Sequence, residues 1–166
     1  MANEKYEFVP GDEKVIAPGR TVKRIRALVA ISYFVAAGDI GGYIESEASL
    51  PVYGDAWVSG DAWVSGNARV YGDAQVYGDA WVYGDARVYG RGLIVWFTGV
   101  GTGYGTLTVY NTKDNSIEVT RGCFRGSIDE FLAASESKHD ETTQLEYRML
   151  IEVAYSRITR AQTTKE

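Results

Sequence analysis

The sequence predicts a mainly β protein in which short strands wind into a solenoid and helices follow at the C-terminal end. A six-residue period, Val-(Tyr/Ser)-Gly-(Asp/Asn)-Ala-(Trp/Arg/Gln), runs through the middle of the chain. Within each unit, small apolar residues alternate with large ones. Beyond residue 126, two helix-start signatures precede apolar residues at helical spacing.

The period comes first, because a fixed repeat dictates architecture. Val52, Val58, Val64, Val70, Val76, Val82 and Val88 hold one place, and Ile94 keeps the register. Gly54, Gly60, Gly66, Gly72, Gly78, Gly84 and Gly90 hold the third, followed by Asp55, Asp61, Asn67, Asp73, Asp79 and Asp85. Each unit therefore reads as a four-residue strand, such as Ala56-Trp57-Val58-Ser59, and a Gly-Asp corner. Gly and Asp turn a chain easily because they tolerate positive φ. Side chains alternate along a strand, so Ala and Val share one face and the large residues the other. An antiparallel meander would mix Val with Trp on one sheet face and leave no consistent inside. Corners that turn the chain about an axis point every Ala and Val inward.

The spacing resembles the hexapeptide repeats of left-handed parallel β-helices, where three hexads make a triangular coil. The aliphatic residue followed four places later by a small one, as in Val58 and Ala62, carries the likeness. Tyr or Ser after the aliphatic departs mildly from that pattern. The full expectation is mainly β with C-terminal helices: a left-handed parallel β-helix (hexapeptide repeat) with an N-terminal cap, a β-hairpin and a helical pair. Roughly two and a third coils make a short solenoid that needs caps at both ends. Related helices associate side by side, so the resemblance implies a homotrimer.

Stacking three hexads apart defines three faces. The first carries Trp57, Ser59, Gln75 and Tyr77; the second Trp63, Ser65, Trp81 and Tyr83. The third carries Tyr53, Arg69, Tyr71, Arg87 and Tyr89. Exposed aromatics mark interfaces, so Trp57, Trp63, Trp81 and Tyr83 are candidates for an oligomer or partner contact. Guanidinium groups fork onto phosphate and phenol rings stack on bases. Arg69, Tyr71, Arg87 and Tyr89 are thus candidate ligand contacts, with Arg91, Arg121 and Arg125 near the end of the repeat. The bland reading, solubilising arginines among strand-favouring tyrosines, carries somewhat more weight.

Composition narrows the function. A net charge of −5 over 166 residues argues against general nucleic-acid binding. One cysteine, Cys123, excludes an internal disulfide and suits a reducing compartment. The start MANEKYEFVPGDEK is too polar for a signal peptide, and no apolar run is long enough to span a bilayer. The expectation is a soluble cytoplasmic protein with no membrane contact. Enzymes of the left-handed helix use a histidine base or a three-histidine metal site, but this chain has one histidine, His139, in the polar segment SESKHDETT. Cys123 lies between Arg121 and Arg125 with no base partner in sight. No catalytic residue, cofactor or metal is expected. GVGTGYGT, residues 99–106, reads as a linker because no helix follows it.

The divisions follow: 1–43 a strand and cap region, 44–96 the repeat, 97–125 linker and hairpin, 126–158 two helices, 159–166 a disordered tail. The hairpin turns near residues 113–116, and the helices start at capping boxes Ser127/Glu130 and Thr143/Glu146. The order RIRALVAI, GDIGGYIESEASL, hexads, TKDNSIEVTRGCFRGSIDEF and YRMLIEVA resembles a group of phage and prophage proteins. That group carries a Gly-Asp-Leu-Gly-Gly-Tyr motif, hexapeptide repeats and a Gly-Cys-Phe-x-Gly module. The likeness covers roughly residues 20–158 and departs at His139-Asp140, where members often have His-Gly. It implies origin and architecture, and small phage proteins of this type often counter host defence.

The leading expectation is a non-enzymatic, phage-encoded binding protein that captures a host protein or a small anionic, nucleotide-like ligand. An acyltransferase relative using His139 of a neighbouring subunit is one alternative. A structural or assembly protein docking through Trp63 and Trp81 is another.

Overall fold

The computed structural model describes residues 2–164. β1 (Tyr6–Ala17) and β2 (Arg20–Ala27) form an antiparallel hairpin, and β3 (Ile40–Ile44) lies antiparallel on β2. Each following hexad supplies a two-residue strand: β4 (Trp57–Val58), β5 (Trp63–Val64), β6 (Arg69–Val70), β7 (Gln75–Val76), β8 (Trp81–Val82) and β9 (Arg87–Val88). Each pairs in parallel three hexads along, so that Trp57 lies beside Gln75, Trp63 beside Trp81 and Arg69 beside Arg87. Antiparallel strands β10 (Ile94–Val100), β11 (Gly105–Asn111), β12 (Ile117–Arg121) and β13 (Phe124–Ser127) come next. Helices α1 (Ile128–Lys138) and α2 (Glu141–Thr163) end the chain.

This corrects the expectation of a left-handed parallel β-helix with cap, hairpin and helical pair. The described residues build several small mixed sheets and no closed helix. One sheet has the order β1-β2-β3-β5-β8, another β10-β11-β12-β13, and β4-β7 and β6-β9 stand as two-stranded ladders. The reason is arithmetic in the repeat. A Gly-Asp corner leaves only two residues per hexad for the ladder, and few hexads are stacked. Antiparallel strands from both ends of the chain then dominate the pairing. The expected linker at residues 99–106 is the end of β10, a turn at 101–104 and the start of β11, so the hairpin is part of a four-stranded sheet. α2 also runs to Thr163, into the stretch expected to be disordered. Residues 165 and 166 of that stretch lie outside the described residues.

The core begins with the small apolar side chains of the repeat. Ala56, Ala62, Ala74, Ala80 and Ala86 are fully buried with Val58, Val64, Val70, Val76, Val82 and Val88. Burying a valine contributes about 1.5–3 kcal/mol, so one hexad stabilises little and the stack supplies the core. The corners explain the glycines. Gly72 sits at φ +67°, and a Cβ there would lie 2.4 Å from the Tyr89 carbonyl oxygen. Gly90 alone among the repeat glycines is extended, at φ −157°, and there the chain leaves the period.

Both ends of the stack finish their backbone hydrogen bonds with side chains. At the first, buried Lys5 Nζ donates to the carbonyls of Pro51 (3.3 Å) and Gly54 (3.0 Å), and the Tyr6 hydroxyl to that of Leu50 (2.6 Å). Burial pushes the Lys5 pKa down and the Tyr6 pKa up. At the second, Thr108 Oγ1 accepts from Trp81 N (3.2 Å), and Thr120 Oγ1 donates to the Trp81 carbonyl (2.9 Å). Asn111 Nδ2 donates to the Arg87 carbonyl at 3.0 Å. All three are buried, which is why β11 and β12 carry polar residues facing the core. The helices cover the outer sheet with Phe131, Tyr147, Ile151, Ala154 and Ile158.

Candidate functional site

A groove of about 900 Å³ opens where four parts of the chain meet. The β2–β3 connection supplies Phe34, Val35 and Asp39, with Ile40 at the start of β3; the first face of the repeat supplies Trp57, Ser59, Gln75 and Tyr77. The far wall is Arg91, Ile94, Val95 and Trp96, with Arg157 from α2. Its volume lies within the range typical of small-molecule sites.

Local structure explains each contributor. Ile31 and Val35 bridge across a tight turn with Ser32 at φ +57°, which lifts Phe34 out until 72% of it is exposed. Tyr77 projects outward between buried Val76 and the Gly78 corner, and its ring meets Trp96 edge-on at 4.5 Å. Arg91 follows Gly90 and holds its guanidinium 5.8 Å from the Phe34 ring centre. Arg157 arrives because α2 docks on this side: Ala161 packs against Gly92, and Gln162 Nε2 donates to Asn111 Oδ1 at 2.8 Å. Neither Arg91 nor Arg157 has an ion pair among the described residues. The groove thus sets three exposed or half-exposed rings beside two guanidinium groups. Asp39 is the acid of the rim, and it is occupied, accepting from Ala36 N at 2.8 Å. Such a lining stacks a planar ring and forks onto an anion.

The residues singled out from the sequence are dispersed. Arg91 lies in the groove. Arg69 and Arg87 share a smaller depression of about 380 Å³ with Lys113, Asp85 and Ser46. There Arg87 Nη1 donates to the carbonyls of Asn67 (2.7 Å) and Ala86 (2.8 Å), which ties it to the backbone. Arg69 Nη2 reaches the Tyr53 hydroxyl at 3.5 Å, and its guanidinium lies 5.8 Å from the Tyr71 ring centre. Tyr71 and Tyr89 stack at 5.7 Å. Arg121 is structural, donating to the Tyr147 hydroxyl (3.2 Å) and the Val100 carbonyl (3.3 Å). Arg125 pairs with Glu118 and lies over the Tyr83 ring.

The aromatic candidates also move inward. Trp57 is buried and meets Tyr6 edge-on at 6.3 Å, because the β1–β2 hairpin covers its face. Trp63 and Trp81 stack at 5.1 Å, half-buried. Tyr83 is half-buried between Arg20 and Arg125, so the second face is not an open aromatic wall. His139 closes α1, its Nδ1 3.1 Å from Ser135 Oγ and its ring against Tyr147, and Cys123 is exposed. No cluster of three or more His, Cys, Asp or Glu placed to hold a metal occurs among the described residues.

Sequence reasoning missed Phe34, Tyr77, Trp96 and Arg157 as one site. The uncharged stretch ALVAISYFVAAG, residues 27–38, was a signal in plain view, since an exposed apolar turn needs a reason. The placement of Arg157 had no local signal, because it depends on how α2 docks.

Comparison with known proteins bears on the repeat. Residues 62–78 and 68–90 match the family described as YdcK Beta solenoid repeat. The match supports a β-solenoid repeat protein; it lies within the hexads and does not extend to the N-terminal hairpin, the outer sheet or the helices. No curated protein matches the chain. No helix among the described residues is long and apolar enough to cross a membrane.

Proposed function

We propose that the chain is a non-enzymatic binding protein that captures a small anionic ligand carrying a planar ring, of the nucleotide type, in the groove between the repeat and α2. One observation carries this reading: Phe34, Tyr77 and Trp96 surround a groove whose rim holds Arg91 and Arg157, both without ion pairs among the described residues. The rings supply stacking area and the arginines the counter-charge. The phage likeness of the sequence adds a setting: a sponge acting in the host cytoplasm on a nucleotide signal of host defence.

Titration of the protein with 5′-mononucleotides, cyclic mononucleotides and inorganic phosphate tests it. A ring-bearing phosphate should bind more tightly than phosphate alone. Arg91→Glu and Arg157→Glu should each weaken it about ten- to a hundredfold, the range of a lost charge-assisted hydrogen bond, with the melting temperature unchanged because both side chains are exposed. Absence of binding across the panel, or binding indifferent to both substitutions, contradicts the reading.

A further inference from the structure

The depression of about 380 Å³ on the third face of the repeat shares no lining residue with the groove. It is built from the short helical turn at Glu47–Ser49, two stacked corners and the turn between β11 and β12. Ser49, Asn67 and Asp85 stand eighteen residues apart, in one column of corners. In the other two columns the same place holds Asp55 with Asp73, and Asp61 with Asp79. Two residues further on, the hexads carry arginine in this column alone, at Arg69 and Arg87. Acid is thus withdrawn from the column that gains guanidinium groups. Lys113 adds a third cation, its amide donating to the Asp85 carbonyl at 2.9 Å. Three cations therefore face one acid, in a chain of net charge −5. None of the three has an ion pair among the described residues. Asp85 Oδ1 already accepts from Asn67 Nδ2 at 3.3 Å, and the nearby Glu45, which accepts from Gly66 N, is paired with Arg20. A second observation is independent of charge. Ser49 lines the depression and is 1% exposed, yet its Oγ has no hydrogen-bond partner among the described residues, and the buried Arg69 Nε has none either. Unpaired buried donors are costly, so two at one place point to an acceptor from outside the chain.

We infer that this depression is a second binding site, specific for a phosphate group. Arg87 Nη1 is fixed on the carbonyls of Asn67 and Ala86, which leaves Nη2 for a ligand oxygen. Arg69 and Lys113 add charge, and Ser49 Oγ adds a neutral donor. A tetrahedral oxyanion accepts from several such donors at once, and its bonds to guanidinium and ammonium groups are charge-assisted. The volume sits at the small end of small-molecule sites. It suits free phosphate or a small phosphomonoester, whereas the ring-bearing ligand belongs to the groove.

Calorimetric titration of the whole chain with inorganic phosphate and, separately, with glycerol 3-phosphate tests this. The Arg91→Glu/Arg157→Glu background removes the groove from the measurement, so the two sites fail or succeed separately. Binding is expected in that background, and the tighter probe tells the free ion from the monoester. Arg69→Gln with Lys113→Gln should weaken it at least about tenfold, the loss of a charge-assisted hydrogen bond. Ser49→Ala should weaken it about three- to tenfold. The same substitution should leave the melting temperature in phosphate-free buffer unchanged or higher, because alanine leaves no donor unpaired. Phosphate should then raise the melting temperature of the variant less than that of the parent. Neither probe binding, binding that survives Arg69→Gln/Lys113→Gln, or a Ser49→Ala protein that melts lower without phosphate and binds it as before overturns the inference.

Discussion

Lys5 and Asp140 illustrate two ways a single charged residue ends a structural element. Lys5 gives up solvent to saturate two carbonyls at the first edge of the repeat, and its lowered pKa records the cost of that burial. Asp140 stays at the surface and caps α2, accepting from Thr143 N at 2.8 Å. The capping box expected at Thr143/Glu146 does not form: α2 begins one turn earlier, with Asp140 as its N-cap, and Thr143 lies inside the helix. The box at Ser127/Glu130 forms as its sequence suggests. Hydrogen bonds from Thr143, backbone first, hold the Asp140 carboxyl below its ordinary value. A depressed carboxylate stabilises the fold above its unfolded pKa, near 3.8, and that contribution disappears as pH falls through the folded pKa. Asp140→Asn keeps an acceptor at the cap without the titration. Wild type should lose α2 stability below about pH 4 more steeply than this variant, followed by circular dichroism in an acid titration. Parallel acid profiles would remove the cap from the account.

The hexads, the C-terminal helices and the turn between β11 and β12 were legible because each has a local cause: corner residues, caps, alternation. β1 and β10 were not. Tyr6–Ala17 contains Pro10, Gly11 and a run of charged residues, and becomes a strand only by pairing with β2. β10 reads as the end of the repeat until β11 takes it as a neighbour. Pairing across the chain likewise turned the expected β-helix into small mixed sheets. Glycines at the corners offer a sharp check. Gly72→Ala places a methyl against the Tyr89 carbonyl at positive φ, whereas a Cβ on Gly90 meets nothing nearer than 3.7 Å on extended backbone. The first substitution should cost at least about 1–3 kcal/mol, the range for strained backbone, and the second close to nothing. Urea unfolding of the two variants measures this, and equal losses would mean that the corners do not set the fold.

In the assembled molecule, the three-dimensional site differs from any list of residues along the chain. Arg91 alone among the arginines and tyrosines chosen from the repeat register lines the main groove. Its companions come from the β2–β3 connection, the first face of the repeat, β10 and α2, with Phe34 lying 62 positions from Trp96 and Trp96 lying 61 from Arg157. The Trp side chains expected outside are spent on packing, Trp57 under the hairpin and Trp63 against Trp81. Among the described residues the exposed aromatic rings are instead Tyr33, Phe34, Tyr53, Tyr77, Tyr104 and Tyr155.

The most direct measurement is mass spectrometry of small molecules released by heating protein purified from host cells, wild type beside Arg91→Glu/Arg157→Glu. The account predicts an anionic, ring-bearing compound from wild type and its loss from the folded double variant. An empty wild type, or the same compound released equally from both, would contradict it.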